Sequence, residues 1–126
     1  VAKIRALCGD ELDVYSGNDD QIVPMMSLGA KGVISVLSNV MPKETHQIAK
    51  YCLDGDFDKA SKLSLETLDL ANALFCDVNP IPVKEALNIL GFKAGSCRLP
   101  LCDMEDSKKA FLKDVLAKFD LVGIIN

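Results

Sequence analysis

Leu12-Asp-Val-Tyr-Ser-Gly-Asn-Asp-Asp-Gln-Ile-Val-Pro-Met-Met-Ser-Leu-Gly-Ala-Lys-Gly-Val-Ile-Ser-Val-Leu37 is the stretch on which the fold turns. It opens with residues 12–16, a short run rich in β-forming residues. It closes with Val33-Ile-Ser-Val-Leu37, almost continuously apolar, as a parallel strand buried on both faces should be. Between them Asp19 and Asp20 precede Ile22, Val23, Met25, Met26 and Leu28, which give a helix a wide apolar surface. Either carboxylate suits the start of that helix, where free amides await an acceptor. Pro24 is tolerated because it lies near the start. Strand, helix and strand in this order make a right-handed βαβ unit. Two strands alone neither close a barrel nor hide their edges.

Toward the amino terminus, Val1-Ala-Lys-Ile-Arg-Ala-Leu-Cys8 reads as the last turns of a helix, with Gly9 as its stop. A chain that opens on Val1 inside a helix is expected to be part of a longer one. Toward the carboxyl terminus the pattern predicts only helices. Pro42 suits a first turn, and a helix is expected over 43–54. Gly55 turns the chain, and Asp56 is placed to cap a long helix over 57–77. Its Phe57, Ala60, Leu63, Leu68, Ala71, Leu74 and Phe75 fit a 3.6-residue period. Asn79-Pro-Ile-Pro82 breaks it, because Pro80 and Pro82 each push the preceding residue out of helical conformation. A short helix is expected over 83–90, stopped by Gly91, then an irregular connector. Asp103 or Asp106 is expected to cap a last helix through residue 119, with Ala110, Phe111, Val115, Leu116 and Phe119 inward.

The chain has 126 residues, enough for one domain. Charged residues at 25% and hydrophobic ones at 49% are ordinary globular values, which argues against disorder. The 14 Lys+Arg against 18 Asp+Glu give a net charge of -4 with no basic run, so nucleic acid is not an expected partner. Apolar runs such as 33–37 are too short to span a bilayer, and no signal segment opens the chain. Five scattered cysteines without a secretory signal point to reduced, buried thiols and a cytoplasmic location. With no C-x-x-C and His46 as the single histidine, no metal site is expected.

Gly17 falls at the carboxyl end of the first strand, where α/β folds carry their ligand sites. There it serves either a tight turn or the close approach of a ligand, and spacing alone favours the turn. Asp19 and Asp20 in the same loop would repel a phosphate. Ile34 and Val36 share one strand face, with Ser35 opposite; barrel core is the plain reading of that face, and it is accepted for Val36. Tyr15 is a candidate proton-transfer phenol, but a tyrosine within a strand is more often packing with a satisfied hydroxyl. Ser16 and Ser38 lack a base, and His46, Glu44 and Glu66 suit solvated helix faces. These residues make no complete catalytic set.

Together with their order and spacing, several stretches resemble the carboxyl-terminal half of the dihydrodipicolinate synthase (4-hydroxy-tetrahydrodipicolinate synthase) family. They are Val14-Tyr-Ser-Gly-Asn-Asp19, Leu28-Gly-Ala-Lys-Gly-Val-Ile-Ser-Val36, Asn39-Val40, Gly55-Asp-Phe57, Leu74-Phe75, Asn79-Pro-Ile-Pro-Val-Lys84 and Arg98-Leu-Pro-Leu101. The last two are the most specific. The resemblance implies an α/β fold: the last two strand–helix units of a (β/α)8 barrel over residues 1–41, then a closing helix and helical subdomain over 42–126. It implies a lyase that condenses pyruvate with aspartate semialdehyde through a lysine Schiff base, early in lysine and diaminopimelate synthesis. That lysine would lie upstream, at the end of strand six. The chain would then hold no catalytic residue, need no cofactor, and be inactive alone.

What carries over is one wall of the pyruvate pocket. Ile34 takes the place of the strand-eight residue beside the bound pyruvate, and Gly17 that of the glycine leaving room there. Asn18 departs from the acidic residue that the resemblance leads one to expect. The resemblance further implies a homo-oligomer, commonly a tetramer, with Leu28 on a helix over 20–30 at a contact, or association with the missing amino-terminal half. Two alternatives stand beside it: another pyruvate-dependent aldolase such as N-acetylneuraminate lyase, and a non-catalytic helical or oligomerisation fragment.

Overall fold

A computed structural model describes residues 1–121. They form two compact units that divide between Leu68 and Asp69. The boundary expected at 41/42 divides the chain by its expected elements, strand–helix units before it and helices after it.

The first unit opens with α1 (Ala2–Cys8), stopped at Gly9, whose φ of 55° is a conformation that favours glycine. Two minimal strands come next, β1 (Tyr15–Ser16) and β2 (Gly32–Val33), joined through α2 (Ile22–Ser27). They pair in parallel, Tyr15 opposite Gly32 and Ser16 opposite Val33. The ladder runs slightly past the strands, since Lys31 donates its amide to Val14 and Ile34 donates to Ser16, both at 2.8 Å. The Tyr15 ring lies over Gly32, where an added Cβ would stand 3.5 Å from two ring carbons.

The strands expected over 12–16 and 33–37 are thus correct in place and direction but too long. Residues 35–37 leave the extended conformation because their polar groups turn toward Asp19, and Leu37–Asn39 becomes a single 3₁₀ turn. Val36, expected on a strand face, has φ −83° and ψ −43°. The helix expected over 20–30 is a 3₁₀ turn, Asp19–Gln21, running into α2.

Two helices complete the unit: α3 (Pro42–Leu53), with Pro42 in its first turn, and α4 (Phe57–Glu66). Asp56 caps α4 as expected, accepting the Lys59 amide at 3.1 Å. Ile22, Met26, Ala30, Ile48, Cys52 and Ala60 form the core, with Val14, Val33, Phe57 and Leu63 packed around them. Ile22 and Ile48 are fully enclosed, and each such side chain contributes about 1.5–3 kcal/mol relative to exposure.

The continuous helix expected over 57–77 is broken at Thr67. Its hydroxyl donates to the carbonyls of Leu63 and Ser64 at 3.1 and 3.2 Å, and its ψ of 0° departs from helix geometry. Such back-bonding competes with the helix ladder and bends it. Helix α5 (Leu68–Ala73) begins at once beyond.

In the second unit, α6 (Ile81–Ile89) carries Pro82 in its first turn, and α7 (Asp106–Lys118) packs against it. The Asn79–Pro80 and Leu99–Pro100 bonds are cis. Lys84 ties α6 to the connector through the Ser96 carbonyl at 2.8 Å, and Asn88 exchanges two bonds with Gly95. Neither Asp103 nor Asp106 caps α7, which starts after Glu105 without a side-chain cap. The buried face of α7 is Leu112, Val115 and Leu116; Ala110 and Phe111, expected inward, are exposed and Phe119 is half-buried. Among the described residues no helix is long and apolar enough to cross a membrane.

Candidate functional site

The two strands end in loops on the same side, and both proposed pocket residues lie there. Gly17 directly follows Ser16, the residue whose carbonyl accepts the Ile34 amide at 2.8 Å. The ladder therefore brings Gly17 and Ile34 together across neighbouring strand ends. Ile34 lies just beyond β2, with 72% of its surface exposed. Gly17 is exposed as well, and a Cβ there would meet nothing within 4 Å.

The loop after β1 is tightly organised. Ser16 is fully buried, its hydroxyl donating to the Asn18 carbonyl at 2.7 Å and accepting the Asn18 amide at 3.3 Å. Asp19 is buried, with only 5% of its surface exposed. One carboxylate oxygen accepts the Ser35 hydroxyl; the other accepts the amides of Val36 at 3.0 Å and Leu37 at 2.9 Å. Ser35 in turn accepts the Ser38 amide at 2.8 Å. Asp19 thus ends the loop after β1 by capping the turn after β2.

The sequence pattern misplaces this residue. It assigns Asp19 or Asp20 to the start of α2 and counts both as loop charges, whereas the Asp19 carboxylate is turned inward and Asp20 alone is exposed. Spacing within one segment cannot reveal an acceptor whose donors lie 16, 17 and 18 residues away. The one available signal is a pair of serines, Ser35 and Ser38, ending a strand that is otherwise apolar.

Tyr15, Ser38 and His46 line one open groove, but no hydrogen bond joins His46 to either among the described residues. Tyr15 is half-exposed, and His46 lies on the solvated face of α3 as its spacing suggested. Glu66 is exposed, also as expected, and Glu44 is half-buried. Among the described residues no cluster of three His, Cys, Asp or Glu side chains is arranged to hold a metal. The thiols differ from the uniform burial expected: Cys52 is buried, Cys8, Cys76 and Cys97 are half-buried, and Cys102 is exposed. Burial pushes the Cys52 and Cys76 thiols up, with Asp77 adding to the effect at Cys76.

Comparison with known proteins places this geometry. The model of the dihydrodipicolinate synthetase family matches residues 1–119. A 4-hydroxy-tetrahydrodipicolinate synthase from Clostridium perfringens is 51% identical over 122 residues, 97% of this chain and 42% of the relative. The solved dihydrodipicolinate synthase of Aquifex aeolicus is 42% identical, with a TM-score of 0.92 over 96% of this chain and 41% of its own. A chloride-inhibited dihydrodipicolinate synthase from Acinetobacter baumannii, solved with pyruvate, is 32% identical with a TM-score of 0.91 over 96% of this chain and 42% of its own. The chain spans about two fifths of the length of these relatives. Their likeness makes its architecture part of a TIM-barrel enzyme.

Proposed function

The chain belongs to the dihydrodipicolinate synthetase family, and we propose that it is the carboxyl-terminal portion of a synthase that condenses pyruvate with aspartate semialdehyde. The observation that carries this reading is the family match across residues 1–119. The reaction would serve lysine and diaminopimelate synthesis in the cytoplasm. Residues 1–41 supply the last two strand–helix units of the barrel, and 42–126 the closing helix and helical subdomain.

The chemistry explains what this portion contributes. A lysine amine attacks the pyruvate ketone, water leaves, and the resulting imine draws electrons from the methyl carbon. Loss of a methyl proton gives an enamine, whose carbon attacks the aldehyde. The amine must be partly desolvated to be neutral often enough to react. In this reading that lysine lies upstream of residue 1, so these 126 residues alone are inactive. Lys84 is no substitute, since its ammonium is bonded to the Ser96 carbonyl.

Ile34 then presents an apolar wall beside the pyruvate carbons, and Gly17, at the neighbouring strand end, leaves room there. The parent is a homo-oligomer in this reading, with exposed Leu28 at the end of α2 as a contact.

The test is steady-state turnover by the full-length protein that carries this segment. It should consume pyruvate and aspartate semialdehyde together. Release of pyruvate from a sugar acid, without consumption of the semialdehyde, would contradict the assignment in favour of another pyruvate aldolase.

A further inference from the structure

Asp19 is a buried carboxylate with no role in the chemistry above. Among the described residues it takes part in no ion pair, and its two oxygens are engaged by three donors, the Ser35 hydroxyl and the amides of Val36 and Leu37. Burying a charge is costly unless hydrogen bonds replace its water. These three do so, and all three come from the residues immediately after Ile34.

Ile34 is therefore held on both sides by one short segment. Before it, the ladder bond joins its amide to the Ser16 carbonyl at 2.8 Å. After it, Asp19 grips residues 35–37 and forces the chain from extended at β2 to helical at Val36. The same segment, residues 16–19, carries Gly17 and is stiffened by the Ser16 hydroxyl against Asn18. The Ile34 backbone is fixed by hydrogen bonds, the ladder bond before it and the Asp19 turn after it, and these set where its side chain starts.

We propose that Asp19 is a positioning residue for the pyruvate pocket, fixing Ile34 against Gly17 through the turn after β2. The inference rests on the pocket reading of Gly17 and Ile34 given above. It gives a use to a buried carboxylate at a place where a neutral turn residue would spare the desolvation. A wall displaced by a fraction of an ångström weakens the fit of a three-carbon substrate without touching the proton transfers.

The experiment uses the full-length protein and three variants: Asp19→Asn, Ile34→Ala and the double variant. Asparagine has one acceptor oxygen, so it cannot serve both the hydroxyl and the two amides. Asp19→Asn should raise KM for pyruvate roughly tenfold, with kcat and KM for the aldehyde within about twofold. Ile34→Ala should raise the same KM comparably. The double variant should match Ile34→Ala, because Asp19 acts through Ile34. Full additivity in the double variant, an equal loss in kcat, or an unchanged KM for pyruvate would overturn the proposal. If Asp19→Asn does not accumulate folded, Ser35→Ala, which removes only the hydroxyl end of the clamp, is read by the same criteria. Trapping with pyruvate and borohydride separates the two levels. A wild type that traps no imine sinks the pocket reading and this inference together; one that traps it while Asp19→Asn leaves KM unchanged sinks this inference alone.

Discussion

The Arg5 guanidinium occupies the place where Gly29 would carry a side chain. A Cβ there would lie 2.7 Å from Nη2 and 2.9 Å from Nε of Arg5. Arg5 also donates to the Leu28 carbonyl at 3.1 Å and to Asp10 at 2.8 Å, so it joins the end of α1 to the end of α2. Gly29 has a φ of +91° besides, a conformation that side chains resist. Gly29→Ala should therefore destabilise by about 1–3 kcal/mol, from backbone strain and the displaced arginine together. Urea unfolding checks it; an unchanged midpoint would contradict both the strain at residue 29 and the cost of displacing Arg5.

The buried face of α7 gives a second prediction. Leu112 is fully enclosed and its neighbour Phe111 is half-exposed. Leu112→Ala should cost about 2–5 kcal/mol, the range for a cavity left in a core. Phe111→Ala should cost about 1 kcal/mol or less, because much of the ring stays in water in either state. Thermal unfolding of both variants checks the order, and a reversed order would mean that the helix faces its neighbours differently.

Lys108 and Asp77 link α7 to the residues after α5 at 2.8 Å. The Lys108 ammonium holds the Asp77 carboxyl below its usual range, helped by the Val78 amide. Asp77 in turn holds Lys108 above its usual range. A lowered carboxylate stabilises above its unfolded pKa, and the effect is lost as pH falls through the folded value. A raised lysine stabilises below its unfolded pKa, and the effect is lost as pH rises through the folded value. Asp77→Asn should therefore lower Tm across the plateau between these limits. The difference from wild type should shrink below about pH 4 and above about pH 10.5, the ordinary values for these groups. A Tm difference that is flat from acid to alkali would show that the pair contributes packing rather than charge.

The thiols are ranked by burial. Exposed Cys102 should alkylate first, and buried Cys52, its thiolate further disfavoured by desolvation, last. Mass spectrometry of partially iodoacetamide-treated protein reads the order, and early modification of Cys52 would mean that α3 opens readily.

The legible parts of the fold are those written in local pattern. Pro42 marks the start of α3, Asp56 caps α4, and Gly9 ends α1, each because a helix end needs one kind of residue at one place. The parallel pairing of β1 and β2 is foreshadowed by an apolar run beyond a helix. What local pattern misses is settled by partners distant in sequence or by a side chain turning back on its own helix. Thr67 reads as one more helical residue until its hydroxyl bonds to Leu63 and Ser64. In α7 the apolar pattern is weak enough that Phe111 and Leu112 exchange faces between expectation and structure. At the candidate site, strand-end logic and the resemblance together point to Gly17 and Ile34, but nothing around residue 19 announces that its donors are residues 35–37.

The synthase assignment is tested by treating the full-length protein with pyruvate and borohydride, then measuring intact mass and mapping the modified peptide. Reduction converts an imine into a stable amine that survives digestion. One pyruvate adduct per chain is expected, on a lysine upstream of these 126 residues, with none on Lys84 or the other lysines here. No adduct at all, or an adduct on one of this segment's own lysines, would contradict it.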